Sequence, residues 1–274
     1  MKVDLHTHST RSDGSLDPPG LVMLAQQRRI DMLSITDHDT IAAYRDIDVP
    51  KLSGIRIIAG IEFSTTWRGV GIHILGLNID LDNRELQRGV DQQLAAREQR
   101  AVEIARRLQK KLDIDDPLPA VRAIAGHGNI GRPHFARHLV NNEITKSMDV
   151  AFHKYLGSGK IGDVRESWAD LASVTRWITV ANGTAVLAHP LKYKLTRTRL
   201  LELLDDFTGA GGSGMEVVNG QQNEEQTLKL AKICNARGLL ASCGSDFHNM
   251  ESGWSAMGSY SKLPDSCTPV WSCW

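Results

Sequence analysis

The sequence predicts an α/β barrel interrupted by a helical insertion, and three observations carry that prediction. Short apolar runs recur along the chain, and nearly all of them lead straight into His, Asp or Glu. Toward either end of the chain, helix-like segments separate those runs, which is the rhythm of a parallel sheet. Between residue 83 and about residue 170, helical periodicity replaces that rhythm. A barrel of parallel strands places its active site at the carboxyl ends of the strands, where these polar residues fall.

The elements follow in order. Val3 to Leu5 reads as a buried strand ending on His6 and His8, whose i, i+2 spacing points both side chains the same way. Leu16 to Arg29 reads as a helix opened by Pro18-Pro19, with Leu21, Leu24 and Ala25 on one face. Met32 to Thr36 is the next strand and runs into Asp37-His38-Asp39; Ile57 to Ile61 runs into Glu62; Ile72 to Leu77 carries His73. Asp82 or Asn83 then caps a long helix with Leu86, Val90, Leu94, Ile104, Leu108 and Leu112 at helical spacing. Its other face is rich in Arg and Gln, and the cluster from Arg106 to Lys111 reads as a solvated face. Shorter helices are expected at Ala120 to Ala125, Arg132 to Asn141 and Met148 to Leu156. The βα rhythm resumes at Leu171 with a helix, followed by the strand before His189 and a helix at Leu200 to Phe207. A strand at Gly214 to Val218, a helix at Glu224 to Arg237 and the strand Leu239 to Cys243 complete it. The expected division is a discontinuous barrel, residues 1–82 and 170–274, with residues 83–169 as a helical insertion over the active-site face.

The formal net charge of the 274 residues is zero, so no global field draws in a polyanion. No apolar stretch approaches the roughly 20 residues that cross a bilayer, and the N-terminus lacks the apolar core of a signal peptide. Cys234, Cys243, Cys267 and Cys273 match no zinc spacing, which fits reduced thiols in a cytoplasmic protein.

Singly, each polar residue has a plain structural explanation: the Asp of Ser12-Asp13-Gly14 is a common turn residue, and one His at a strand end is commonly a hydrogen-bonded core residue. Together they form an array of carboxylates and imidazoles that would be costly to gather in one pocket without a cation. The donors are nitrogen and oxygen without sulfur, which suits Mn²⁺, Fe²⁺ or Zn²⁺. They outnumber what one ion can use, so two or three divalent ions are expected. Such a cluster suits hydrolysis of a phosphoester, with metals acidifying a water and neutralising charge on the substrate.

Four stretches carry a family resemblance: Asp4-Leu5-His6-Thr7-His8-Ser9, Thr36-Asp37-His38-Asp39, Ala188-His189-Pro190 and Ser245-Asp246-Phe247-His248. In that order they resemble the motifs of the PHP (polymerase and histidinol phosphatase) family. The resemblance covers the whole chain, the helical region being an insertion, and implies a distorted (β/α)₇ barrel with a trinuclear metal centre. Carried over by position, His6, His8, Glu62 and Asp246 hold one metal, and Asp13, His38 and His248 a second. Glu62 bridges to a third metal with His73 and His189. His189 matches the third motif better than His134 does, and the choice between those two stays open. Asp13, His38, His248 and His134 are the expected catalytic residues.

Ile130-Gly131-Arg132-Pro133-His134-Phe135-Ala136-Arg137 further resembles the TrpH-like branch of that family. Its members include nucleoside 3′,5′-bisphosphate phosphatases and a 5′-to-3′ exonuclease, ribonuclease AM. The expected substrate contacts are Arg132, whose guanidinium fork suits a phosphate, and His134, which would hold the same group or protonate the leaving oxygen. Asn219 is a candidate for a base or sugar. Lys192, Lys194, Arg197 and Arg199 are candidates for a second phosphate or a solvated loop, and Trp67 for base stacking or core packing. The expected activity is removal of the 3′-phosphate from a nucleoside 3′,5′-bisphosphate, extending to 5′-to-3′ trimming of short RNA. The expected partner is thus a small phosphorylated nucleotide, with no membrane and no stable nucleic-acid complex. Competing readings are a histidinol-phosphate phosphatase, a metal-dependent amidase, and a PHP module retained for binding alone.

Overall fold

The structure, a computed structural model, describes residues 1–48, 54–164, 168–250 and 256–274. Among these residues seven strands lie side by side in chain order: β1 (Val3–Asp4), β2 (Met32–Ile35), β3 (Arg56–Trp67), β4 (Val70–Leu77), β5 (Thr184–Leu187), β6 (Gly214–Asn219) and β7 (Leu240–Gly244). The edges approach each other: Leu5 N–H donates to Cys243 O at 3.1 Å, and Thr7 bridges to Phe247. The sheet is therefore nearly closed into a barrel.

One strand departs from the parallel expectation. β4 runs antiparallel to both β3 and β5, whereas the other neighbours are parallel. The cause is local: Arg68 and Gly69 both have positive φ (46° and 78°), so two residues close a hairpin where a parallel return needs a crossover. Reversal puts the start of β4, with His73, at the end of the barrel where the other strands finish. Glu62 likewise does not follow β3 but lies within it, in register with Leu75, while Ser64 pairs with His73.

The outer helices follow the sequence closely. In α1 (Pro18–Gln27), Asp17 caps the first turn through Gly20 N–H, and Leu21, Val22, Leu24 and Ala25 are buried in a cluster with Leu33, Ile35 and Phe247. The insertion begins with α2 (Arg84–Leu112), capped by Asn83 and ended by Asp113 in the left-handed region. It continues through α3 (Leu118–Ala125), α4 (Arg132–Asn141) and α5 (Met148–Ala151), which passes into a wide helical turn at Phe152–Leu156. α6 (Leu171–Val180), α7 (Arg197–Gly209) and α8 (Glu224–Ala236) then alternate with the last three strands.

Apolar periodicity divides between two main cores. Leu86 and Val90 of α2 join the barrel core of Ile61, Phe63, Ile74, Leu187 and Val217. Further along the same helix, Ala101, Ile104 and Leu108 pack with Phe135, Leu139 and Leu156 in a core belonging to the insertion. Trp67 is buried in the barrel core, and its Nε1–H donates to Asp206 at 2.7 Å, so it packs instead of facing substrate. The C-terminal Trp274 donates to Thr184 at the start of β5, at the end of the barrel away from His189. Among the described residues no helix is long and apolar enough to cross a membrane.

Candidate metal centre

Among the described residues, nine side chains of metal-ligand type converge at the end of the barrel where most strands finish. The loop after β1 supplies His6, His8 and Asp13; the loop after β2 supplies His38; β3 and β4 supply Glu62 and His73; the loops after β5 and β7 supply His189, Asp246 and His248. Asp246 and His189 stand at positive φ (55° and 24°), a costly backbone for residues other than glycine, which turns both side chains inward directly after their strands.

Four atoms form one tight group. His6 Nε2 lies 3.3 Å from Glu62 Oε2 and 3.4 Å from Asp246 Oδ1, and His8 Nε2 lies 3.2 and 3.3 Å from the same oxygens. Around Asp13, His248 Nε2 approaches Oδ1 to 3.4 Å and His38 Nε2 approaches Oδ2 to 3.7 Å. On the other side of Glu62, His73 Nδ1 and His189 Nε2 lie 2.8 and 2.9 Å from Oε1. Glu62 thus touches five imidazoles, counting His38 at 2.9 Å from Oε2.

The donors are also oriented from behind, which is how proteins fix the tautomer of ligating histidines. His6 Nδ1 lies 3.0 Å from Glu216 Oε1, His8 Nδ1 lies 3.4 Å from Ser12 Oγ, and His248 Nδ1 lies 2.9 Å from the Asp246 carbonyl. With those nitrogens engaged, each Nε2 points its lone pair into the cluster. His6 Nε2, His8 Nε2, Asp13 Oδ1, His38 Nδ1 and Glu62 Oε2 are all buried without a geometrically sound hydrogen bond. Buried polar atoms are rarely left so, and an inward-facing set of nitrogen and oxygen donors fits divalent cations.

The electrostatics agree. Burial alone would push the Glu62 carboxyl up, but His38, His6 and His73 around it hold it well below the usual carboxylate range. Burial opposes charge on His8 as well, yet the Asp246 and Glu62 carboxylates raise it to about 10. His38 is pulled down to about 4, chiefly by burial.

The cluster floors a cleft of about 630 Å³ whose opposite wall is built by the insertion: Arg97 and Arg100 from α2, Arg132 from the start of α4, Phe152 and Trp168. Arg132 is held by Leu156 O at 3.0 Å and faces Asp163 at 3.5 Å. Lys192 also lines the cleft, with its Nζ on Asp246 Oδ2. Two expected contacts are not among the residues lining this cleft, although the Asp13 carboxylate is near enough to act on the His134 ring. His134 Nδ1 accepts Gly131 N–H at 2.9 Å, closing the start of α4, and the ring does not line the cleft. Asn219 ends β6 with its Nδ2 buried and does not line it either.

Sequence reasoning missed Glu216, Arg97, Arg100 and Trp168. A signal for the arginines existed: Gln93, Arg97 and Arg100 continue the buried stripe of Leu86, Val90 and Ile104 on α2, and polar residues inside an apolar stripe call for a partner or a role.

No protein-family profile matches the chain. It is 41% identical to a 5′-3′ exoribonuclease of Haemophilus influenzae, over 98% of both chains. It is 37% identical to a 3′,5′-nucleoside bisphosphate phosphatase of Chromobacterium violaceum, over 98% of this chain and 95% of that one. Among solved structures it superposes on a Chromobacterium violaceum amidohydrolase with bound sulfate and no metal, at a TM-score of 0.90 and 36% identity, over 99% of this chain and 95% of that one. A metal-dependent phosphoesterase of Bifidobacterium adolescentis matches at a TM-score of 0.83 and 26% identity, over 96% and 93% of the two chains.

Proposed function

Because the chain belongs to the PHP family of metal-dependent phosphoesterases, we propose that it removes the 3′-phosphate of nucleoside 3′,5′-bisphosphates. The observation that carries the reading is the pairing of an inward-facing donor cluster with a cationic wall across one cleft. In this reading His6, His8, Glu62 and Asp246 hold one ion, Asp13, His38 and His248 a second, and Glu62, His73 and His189 a third. Mn²⁺ is the favoured metal, since the donors are hard oxygens and imidazoles without thiolate. Bound divalent ions there supply an acidified water and neutralise charge on the phosphate.

The chain's own residues do the rest. Glu216 fixes His6 and the backbone of His189, so the floor keeps its shape without substrate. Lys192 holds Asp246 by Oδ2, which leaves Oδ1 to face the histidines. Arg132 offers a planar fork to a phosphate from the wall. His134 positions it, because its Nδ1 ties down the Gly131 N–H at the turn into α4. We read residues 83–169 as the unit that sets substrate choice, over a barrel formed by 1–82 and 170–274.

The exoribonuclease relative favours a second activity of the same site, 5′-to-3′ trimming of short RNA, in which the scissile group is again the phosphate on a 3′ oxygen. A nucleotide or RNA end is then met as a passing substrate and not as a stable complex. With four free cysteines, three of them buried, we place the protein in the cytoplasm.

The test is phosphate release by Mn²⁺-loaded protein from adenosine 3′,5′-bisphosphate, beside AMP and histidinol phosphate. Preference for the bisphosphate with AMP as product supports the reading; a preference for histidinol phosphate overturns it.

A further inference from the structure

The cleft has a second cationic side, on the barrel rather than on the insertion. Val70 and Gly71 at the start of β4, and Tyr193 and Lys194 after β5, line it there. Lys194 stands at φ 53°, in the left-handed region, where glycine would be less costly than lysine. Two residues later Thr196 caps α7, whose first turn carries Arg197 and Arg199. The Arg199 guanidinium lies 4.7 Å from the centre of the Trp67 ring, and Trp67 pairs with Val70 across the β3–β4 hairpin. Lys194 and Arg199 thus flank one rim of the cleft, with Arg197 between them in the chain.

The acids nearby are spent on other cations. Arg68 overlies Trp67 at the same 4.7 Å but pairs with Glu202 at 2.6 Å and Asp206 at 3.1 Å. Asp205, the remaining acid of α7, pairs with Arg237 at 2.9 Å. Among the described residues no carboxylate comes within ion-pair distance of Lys194, Arg197 or Arg199. The Trp67 ring holds Arg199 in place without neutralising it. A helix is more stable with acids in its first turn and bases in its last. α7 has the reverse order, Arg197 and Arg199 at its start and Asp205 and Asp206 near its end. That order costs stability and gathers positive charge where the cleft opens.

Both proposed activities break the bond between phosphorus and the 3′ oxygen: water adds to phosphorus, and one of its protons ends on the departing 3′ oxygen. They differ in the other substituent of that phosphorus, which is absent from the bisphosphate and is the rest of the chain in RNA. That chain has to leave the cleft, and the insertion closes one side of it. We propose that Lys194, Arg197 and Arg199 form the track on which RNA beyond the scissile phosphate passes out, over the rim between β4 and α7. The inference rests on the trimming activity read above and deepens it. A line of cations that follows the backbone holds a single strand whatever its bases.

The experiment compares wild type with K194Q/R197Q/R199Q and with R88Q/K110Q/K111Q, which removes three exposed cations of α2. Mn²⁺-loaded proteins are given adenosine 3′,5′-bisphosphate and 5′-phosphorylated oligoadenylates of two to five nucleotides. In wild type kcat/KM should rise with chain length. In the rim variant the pentanucleotide-to-bisphosphate ratio should fall about 10-fold at low salt, the joint worth of three exposed charge contacts. The log–log salt slope on the pentanucleotide should flatten by about 2, at roughly 0.7 per phosphate contact on a single strand. K194Q/R197Q, which keeps Arg199 packed on Trp67, should flatten it by about 1.4. The α2 variant should match wild type in both ratio and slope. A rim variant that keeps both, or an equal fall in the α2 variant, overturns the proposal. Fluorescence anisotropy of a 3′-labelled pentanucleotide on the metal-free proteins repeats the comparison without catalysis. Should wild type cleave none of these nucleotides, the proposed activity falls, and the anisotropy alone then decides for or against the track.

Discussion

Glu216 Oε1 lies 3.0 Å from His6 Nδ1, and its other oxygen accepts the backbone N–H of His189 at 2.6 Å. One fully buried carboxylate on β6 thereby aligns residues from the loops after β1 and β5. It touches no substrate in the proposed reaction; its effect runs through the two histidines.

Glu216→Gln should accordingly weaken metal binding by about 10–100-fold, the usual cost of losing a group that orients a ligand. Glu216→Ala should weaken it further. Isothermal titration of the metal-free proteins with Mn²⁺ measures this directly, and unchanged affinity in both variants would refute the orienting role.

The second prediction concerns pH. In the metal-free protein His8 is raised from 6.5 to about 10 by Asp246 and Glu62 against the cost of burial. Its folded value exceeds its unfolded one, so its contribution to stability is complete below about pH 6.5 and is lost as pH rises through about 10. Urea midpoints of metal-free protein should therefore fall between pH 7 and pH 10. Ligation needs the neutral ring, so adding Mn²⁺ at pH 7 should release protons, readable from the buffer dependence of the binding heat. No proton release would show that His8 is neutral before the metal arrives.

Gly244 sets how closely β7 can pass the first motif. A Cβ there would stand 2.3 Å from His6 Cβ and 2.8 Å from its backbone nitrogen, neither of which can swing aside. Gly244→Ala should cost about 1–3 kcal/mol through overpacking and lower metal affinity as His6 is displaced. Denaturant titration with Mn²⁺ binding on the same sample checks both; wild-type values for the two would sink the argument.

Phe135 is fully buried in the core of the insertion, one turn beyond Arg132 on α4. Phe135→Ala should cost about 3–5 kcal/mol if the insertion unfolds together with the barrel. With Mn²⁺ binding intact, KM should rise more than kcat falls, since the variant loosens the wall and leaves the floor alone. The reverse pattern would mean that α4 supports the floor.

How much of this was legible in the sequence depended on how local each cause is. The caps at Asp17 and Asn83, the bounds of α4 and the alternation of β5 to β7 with α6 to α8 arise from neighbouring residues and were readable. His6, His8, His38, His189 and Asp246 follow a strand within a few residues and were readable for that reason, whereas Glu62 and His73 lie inside β3 and β4. The direction of β4 was not read, although Arg68-Gly69 between two β-rich runs is a two-residue hairpin signal. Arg97 and Arg100 were hidden for a different reason. A long helix rich in Arg and Gln looks solvated, and only tertiary contact with Asp39, Val164 and Trp168 shows which of its arginines are buried. Arg106 and Arg107, which do pair with Glu103 on the outer side, are what the sequence leads one to expect throughout.

α2 belongs to both cores, and that has a mechanical consequence. As an unbroken helix of 29 residues it is a beam about 43 Å long, embedded in the barrel by Leu86 and Val90 and in the insertion by Ile104 and Leu108. Arg97 and Arg100 stand at mid-span, and Arg97 is bolted to Asp39 in the loop that follows His38. Such a part does not act as a jaw. It works as a fixed gauge, holding the height of the arginines above the floor constant, so the depth of the cleft is set by the fold itself.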